Sequence, residues 1–391
     1  MNDAVIVSAC RTPIGAFLGA LSPLSAPKLG ALVVEEAVRR AGLQKSDIQE
    51  AILGNVLTAG EGQAPARQAA LFAGLPESIE CMTINKVCGS GLKAVMLAAQ
   101  AIRLGDAETI VAGGMESMSN TPYLLEQGRT GFRLGHGKLT DSLVKDGLWD
   151  VYNDFHMGNA AELCARECSV TRETQDDFAV LSYTRAQQAW KDGHFREEVV
   201  PVTIKNKQSE TIVEQDEEPF KANFEKIPKL KPAFQPDGTV TAANASKIND
   251  GAAALVVMSA ARAAAMGLKP LARIAGYASA AKKPEWFTTA PVDAITKVLT
   301  RTGLKLDDID LFEINEAFAV VTLTVNKMLG IDNNKVNVHG GAVALGHPIG
   351  ASGARILVTL LHALKQRNKK RGMAAICIGG GEASAVIVEL M

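Results

Sequence analysis

The sequence predicts an α/β protein whose core is a duplicated unit, and three observations predict it. Strand-like and helix-like segments alternate along the chain. Three short motifs recur at an offset of about 260 residues. At 391 residues the chain exceeds one ordinary hydrophobic core, which suits two domains or one unit repeated.

The N-terminus reads as a first strand, with apolar Val5 to Ser8 followed by a turn at Arg11-Thr12-Pro13. A helical stretch is expected from Pro27 to Ala41, and a short buried strand at Thr109-Ile110-Val111-Ala112 that runs into Gly113-Gly114. Between these lies the most informative segment. Leu92, Val95, Met96, Ala99 and Ile102 recur at helical spacing, Gly105 supplies a stop, and the helix opens in Gly89-Ser90-Gly91. Cys88 therefore sits just before a helix N-terminus.

The echoes follow this organisation. Gly42-Leu43 through Asp47-Ile48 returns as Gly303-Leu304 through Asp308-Ile309. Gly89-Ser90-Gly91 before one helix returns as Gly350-Ala351-Ser352-Gly353 before another, and Gly113-Gly114-Met115-Glu116-Ser117 as Gly380-Gly381-Glu382-Ala383-Ser384. The expected organisation is one α/β half over 1–120, an insertion over 121–249 and a second half over 250–391. The insertion is Gly-rich and polar at 120–150. Over 201–248 it carries charges and Pro219, Pro228, Pro232 and Pro236 with little periodicity. Long irregular segments of this kind usually cover a functional site.

Composition excludes several classes. Apolar residues at 47% and charged residues at 21% describe a globular protein rather than a disordered one. A net charge of −1, with both signs interleaved, argues against general nucleic-acid binding but leaves room for a local basic pocket. No apolar run approaches the roughly 20 residues of a membrane span, and the N-terminus resembles neither a signal nor a transit peptide. The six cysteines lack disulfide-scaffold spacing and are expected as reduced thiols in a cytoplasmic setting. Cys164 and Cys168 have the spacing of two metal ligands, but no histidine or further cysteine nearby completes a set, so they read as buried small residues.

Four segments can carry chemistry. Cys88 lies between Val87 and Gly89-Ser90-Gly91, where glycines permit a sharp turn and close approach of a substrate. Free N–H groups and the helix dipole there favour a thiolate, so a pKa below the usual value near ~8.5 is expected. The same groups can hold an oxyanion, although the position also suits a structural cysteine. His347, clamped between Gly346 and Pro348, has the fixed backbone that suits a base serving a thiol; His339 reads as structural. Cys377 emerges at the C-terminal end of the apolar Ala374-Ala375-Ile376, before Gly379-Gly380-Gly381, where ligands bind in open α/β sheets. Asn315, in Asn315-Glu316-Ala317-Phe318, can orient a water or an oxyanion.

Taken together, Val87-Cys88-Gly89-Ser90-Gly91, Asn315-Glu316-Ala317-Phe318, Gly346-His347-Pro348 and Cys377-Ile378-Gly379-Gly380-Gly381 resemble the thiolase family over essentially the whole chain. The Asn85-Lys86-Val87-Cys88 and Gly113-Gly114-Met115-Glu116-Ser117-Met118-Ser119 versions resemble its short-chain acetyl-CoA acetyltransferase branch.

The resemblance implies a five-layered αβαβα fold with a long loop insertion, assembled as a homotetramer from dimers. It implies acetyl-CoA, acetoacetyl-CoA and CoA as the molecules handled, with no metal, no covalently bound cofactor, no nucleic acid and no membrane. It assigns Cys88 as acyl carrier, His347 as its base, Cys377 as the acid–base at the substrate carbon, and Asn315, through a water, as a partner of the enolate oxygen. The backbone N–H groups of Cys88 and Gly379 would hold the acyl-enzyme oxyanion. His156, Met157 and Ser246 match positions near the pantetheine arm and thioester, and Phe234 and Phe318 match tunnel positions. Two departures stand out. Lys221, after Phe220, takes the place of an arginine often used for the nucleotide end, without its bidentate geometry. Phe287 occupies a position that is often Met beside the acyl pocket, and its bulk points to a small acyl group. A longer-chain 3-ketoacyl-CoA thiolase is the nearest alternative activity, and a non-catalytic CoA- or lipid-binding relative the alternative of another class.

Overall fold

The computed structural model describes residues 3–205 and 209–391. Nine main strands form one path: β1 (Ala4–Arg11), β2 (Glu50–Gly54), β3 (Glu80–Ile84), β4 (Thr109–Ser117), β5 (Asn249–Ser259), β6 (Ala272–Ala281), β7 (Leu311–Ile314), β8 (Arg371–Ile378) and β9 (Glu382–Leu390). Their order is β7-β8-β9-β6-β1-β5-β4-β2-β3, and a two-residue strand at Gly15–Ala16 pairs with β5. The join between β6 and β1 is two residue pairs long, Val5 with Arg273 and Ile6 with Ala272. Either side of it the pattern repeats: β1-β5-β4-β2 and β6-β9-β8-β7 both run antiparallel, antiparallel, parallel.

These strands read as continuous apolar runs because both faces of each sheet are covered. In β5, Ala253, Leu255 and Val257 join a central core, while Ala252, Ala254, Val256 and Met258 face an outer one. In β9, Val386 and Val388 face the centre, and Ala383, Ala385 and Ile387 face outwards. The period of two is the pleat itself. A register shift between Ile6 and Ser8 switches the parity of β1, so that Ile6 and Ala9 face the centre and Val5, Val7 and Cys10 the outside.

Helices supply the remaining layers. The first sheet's outer face is covered by α1 (Ala26–Arg40) and α2 (Pro65–Phe72). The space between the sheets holds α3 (Ser90–Leu104) and α10 (Ile349–Gln366). The insertion carries α4 (Met157–Glu167) and α5 (Arg172–Lys191), and α6 (Ala260–Ala265) follows β5. The second sheet's outer face is covered by α7 (Ala290–Thr302) and α8 (Ala319–Leu329), and a one-turn α9 (Ala342–Leu345) precedes α10. Five layers result. Contrary to the expectation that no apolar run approaches a membrane span, Val87–Leu104 is long and apolar enough to cross one, but its helical part, α3, lies between the two sheets.

Two further sequence expectations are corrected. The strand Asn249–Ser259 closes the first sheet and matches β9 of the second, so the halves divide after Ser259 rather than at 250. An apolar run looks the same whether it ends one sheet or begins the next. The glycine echo is also out of register. Glu50 pairs with Ile110 in one half and its counterpart Leu311 with Gly372 in the other, so Gly113 answers to Ala375. Gly380-Gly381 lie instead in the turn beyond β8.

At the centre, backbones touch. A Cβ on Gly353 would lie 2.4 Å from the Leu92 nitrogen, one on Gly91 2.7 Å from the Ala354 nitrogen, and one on Gly114 2.0 Å from the Gly350 oxygen. The N-terminal turns of α3 and α10 thus pack without side chains between them, against β4. The insertion is tied to the core by a buried network. Arg11 at the end of β1 bonds Glu198 at 2.6 Å and Asp216 at 2.7 and 3.0 Å, and Asp216 also accepts from the Ile14 and Trp190 N–H groups. Gly353→Ala is expected to wedge α10 from α3. Urea unfolding should show a loss of about 1–3 kcal/mol, accompanied by a drop in kcat as the two helix N-termini separate.

Candidate active site

Cys88 occupies a tight turn between β3 and α3. Val87 takes a left-handed backbone, φ +45°, held because Ser90 Oγ accepts from the Lys86 N–H at 2.8 Å and donates to the Val87 carbonyl at 2.7 Å. Gly89 is required for a reason the sequence did not disclose: a Cβ there would lie 2.3 Å from Ile378 Cδ1. That close approach brings the Cys88 turn against the end of β8, where Cys377 is buried. The N–H groups of Gly379 and of Cys88 itself both act on the Cys88 sulfur.

The expected thiolate is not what this geometry favours. Burial pushes the Cys88 thiol up to about 11, and the two N–H groups only partly oppose it. Burial likewise holds Cys377 well above the usual thiol value, with the neighbouring Cys88 adding to the rise. Both sulfurs rest as protonated thiols. A helix N-terminus lowers a pKa where water still solvates the group; here desolvation is the larger effect.

His347 hangs from the loop between α9 and α10. Gly346 has φ +112°, and a Cβ there would meet the Asn249 side chain at 2.5 Å. Asn249 fixes the loop, accepting from the His347 N–H at 2.9 Å and donating to the Gly15 carbonyl at 2.9 Å. The ring Nδ1 lies 2.6 Å from Ser352 Oγ, and that hydroxyl donates to the Pro348 carbonyl at 2.9 Å. With the Ser352 proton on the Pro348 carbonyl, Oγ accepts from a hydrogen on Nδ1 and the Nε2 lone pair faces the Asn315 amide. Nε2 lies 3.5 Å from Asn315 Nδ2. Asn315 Oδ1 is buried without a partner among the described residues, the capacity a bound water would use. Burial, reinforced by Arg355, holds the imidazole down to about 3, so it rests neutral.

A cavity of about 540 Å³ leads to His347. Among the residues on its wall are His156, Phe234, Ser246, Phe318 and Lys221. His156 caps α4, its Nδ1 accepting from the Gly158 N–H at 3.0 Å, and stacks on Phe234 at 4.8 Å between centroids. Ser246 donates its N–H to Ala317 at 3.0 Å, linking the wall to the Asn315 loop. Met157 and Phe287 do not line this cavity; they pack behind it with Cys377 and Phe318. Phe287 is 3% exposed and edge-on to Phe318 at 6.4 Å. Lys221 stands at the wall half exposed, with Glu217 and Glu218 at 3.7 and 3.9 Å already drawing on its charge. Cys164 and Cys168 sit 3.9 Å apart; Cys164 is buried against Thr324, and no third metal-binding side chain joins them among the described residues. His339 packs against His194 and Phe195, away from this cluster.

Residues 4–261 match the N-terminal domain of thiolase, and residues 268–390 its C-terminal domain. The chain belongs to the thiolase family. Acetyl-CoA acetyltransferase 2 of Arabidopsis thaliana is 55% identical, covering 100% of this chain and 98% of the relative. The acetyl-CoA acetyltransferase of Cupriavidus necator is also 55% identical, with full coverage of both. Among solved structures, the acetyl-CoA acetyltransferase of Bacillus anthracis superposes with a TM-score of 0.98 at 45% identity, covering 100% of this chain and 99% of the other. A thiolase of Ascaris suum in complex with coenzyme A superposes at 0.95 and 48% identity, with full coverage of both chains.

Ser352 and Asn249 of this thiolase were missed in the sequence. Ser352 lies within Gly350-Ala351-Ser352-Gly353, which reads as an echo of the first half, and its place in the first turn of the helix that follows Gly346-His347-Pro348 was the available signal. Ser352→Ala is expected to free the Nδ1 proton. Nitrogen NMR of His347 should then show mixed tautomers, and kcat should lose part of the roughly 10²–10⁴-fold that a positioned base supplies, with KM little changed.

Proposed function

We infer that this thiolase is an acetyl-CoA C-acetyltransferase, catalysing the reversible Claisen condensation of two acetyl-CoA to acetoacetyl-CoA and CoA. The observation that carries the reading is the convergence of the half-buried Cys88 thiol and the buried Cys377 thiol, one from each half, with a neutral imidazole whose Nε2 faces the Asn315 amide. The names of the relatives above support the same substrate.

The chemistry follows from the protonation states. Cys88 attacks the carbonyl of the first acetyl-CoA as His347 Nε2 takes its proton, which a neutral imidazole can do and a resting imidazolium cannot. The oxyanion forms against the Cys88 and Gly379 N–H groups. The CoA thiolate leaves and takes the proton of Cys377, whose high pKa makes the resulting thiolate a strong base. That thiolate removes a methyl proton from the second acetyl-CoA. Protonated His347 and a water on Asn315 hold the enolate oxygen, and the carbon attacks acetyl-Cys88. Cys88 departs as thiolate and recovers its proton from His347. All three groups end as they began. One thiol stores the acyl group and the other moves a carbon-bound proton.

Phe287 wedged behind Phe318 supports a short acyl chain, and stronger turnover of a long-chain 3-ketoacyl-CoA than of acetoacetyl-CoA would overturn that preference. We extend the reading to a homotetramer. Leu134 is 99% exposed beside Phe132 and Leu139, and β3 leaves an open sheet edge carrying half-exposed Met82; sedimentation velocity tests it. A cytoplasmic, reducing location suits an enzyme that needs both thiols free, and cell fractionation tests that assignment.

Mass spectrometry after brief exposure to acetyl-CoA should find an acetyl group on Cys88 that is absent in Cys88→Ser. Cys377→Ala should still acetylate while condensation falls about 10²–10⁴-fold. A wild-type protein that never acetylates would favour the non-catalytic binding protein, and full condensation by Cys377→Ala would refute the division of roles.

A further inference from the structure

Lys247 follows Ser246 on the cavity wall, and the chemistry above gives it no part. Its ammonium turns inward. Nζ donates to the Ala245 carbonyl at 2.9 Å and the Val343 carbonyl at 3.3 Å, and lies 5.6 Å from the centre of the Tyr183 ring on α5. Glu218 and Glu316 are the acidic groups that act on it, yet neither forms a salt bridge with it among the described residues. Desolvating an ammonium costs several kcal/mol, and here backbone dipoles and a ring face offset that cost.

The two carbonyls belong to segments that the site must hold together. Ala245 bridges to Phe318, and the next residue, Ser246, bonds Ala317, so this strand of wall carries the Asn315 loop with it. Val343 lies in α9, anchored by its N–H to Glu316 Oε2 at 3.1 Å, three residues before the Gly346-His347 turn. Two carbonyl oxygens aimed at one point repel each other, and a cation between them turns the repulsion into a tie.

We propose that the Lys247 ammonium is a positioning clamp that joins the Ala245–Ser246 wall of the acyl-CoA cavity to α9, and so aligns the bound thioester with His347. The proposal rests on the acetyl-CoA reading of this cavity. It accounts for a half-buried cation that has no ion-pair partner among the described residues and touches no reacting atom. A carbonyl cradle that accepts a tethered ammonium should also accept a free one of similar size. The clamp also needs its proton, and burial pushes the Lys247 pKa down to about 8, against the opposing pull of Glu218 and Glu316. The other titratable groups around it are Tyr183 on α5 and, on the same cavity wall, His156, Lys221 and His347.

The test uses the full chain, with steady-state kinetics on acetoacetyl-CoA and CoA for wild type, Lys247→Met and Lys247→Ala. Ionic strength is held constant with ammonium, methylammonium or tetramethylammonium chloride. Thermal melts confirm folding; Met keeps the stem's volume should Ala unfold. In both variants KM should rise about tenfold, the scale of a lost charged hydrogen bond, with a smaller fall in kcat. Ammonium and methylammonium should restore most of the KM of Lys247→Ala, and bulky tetramethylammonium should not. Wild-type KM should climb above pH 8 while that of Lys247→Met stays flat. Unchanged KM in Lys247→Met, or equal effects of ammonium and tetramethylammonium on Lys247→Ala, would overturn the clamp. Acetylation of Cys88 is followed in the same samples. If the wild type acetylates and the variants keep a normal KM, only the clamp fails; if the wild type does not acetylate, the functional reading fails with it.

Discussion

The side-chain-free contact between the first turns of α3 and α10 sets the geometry of everything around it. Gly91 and Gly353 let the two helix backbones meet, and Gly114 lets β4 press against the same point. Cys88 precedes one of these helices and His347 the other, so the distance between nucleophile and base is set by backbone packing rather than by flexible side chains. Glu116, buried on β4, locks the arrangement by accepting from the Val56, Leu57 and Gly350 N–H groups and the Asn55 amide. Duplication makes the meeting natural. Each half contributes one central helix, and a shared middle layer places their N-termini side by side.

Burial then decides the protonation states. Desolvation raises both thiols and lowers the imidazole, so the resting site carries no charge on any of the three groups. Charge appears only as substrate arrives and proton transfers begin. A stored thiolate would be open to oxidation and alkylation; a neutral pair that becomes reactive only as substrate arrives avoids this. The high thiol pKa also suits the harder step, because a carbon acid needs a strong base. Ser352 contributes from beside Nδ1: with its proton on Pro348 it accepts from Nδ1 and leaves Nε2 as the bare nitrogen of His347.

Much of this was legible in the sequence. The apolar runs gave the strands, the echoes at Asp47-Ile48 and Gly89 gave the duplication, and the four motifs named the residues that the structure gathers at one end of the central helices. What escaped has physical causes. The Gly113-Gly114 echo was misplaced because paired glycines carry little register information, and two residues in a turn mimic two in a strand. The Cys88 pKa was expected on the wrong side of its usual value because sequence shows the helix start and not the loss of water around it. Gly89 was read as a turn residue, whereas its decisive contact is with Ile378, distant in sequence. Lys247 and Asn249 are unremarkable in the chain and acquire meaning only from the carbonyls and loops that the fold sets around them.

The pH dependence of iodoacetamide alkylation at Cys88, followed by peptide mass spectrometry in wild type and His347→Ala, probes the neutral resting site most directly. The account predicts a midpoint above the ordinary thiol value near ~8.5 in both proteins, because burial rather than an ion pair sets it. A midpoint at or below about 7 in the wild type that rises in His347→Ala would reveal a stored thiolate–imidazolium pair and contradict the account.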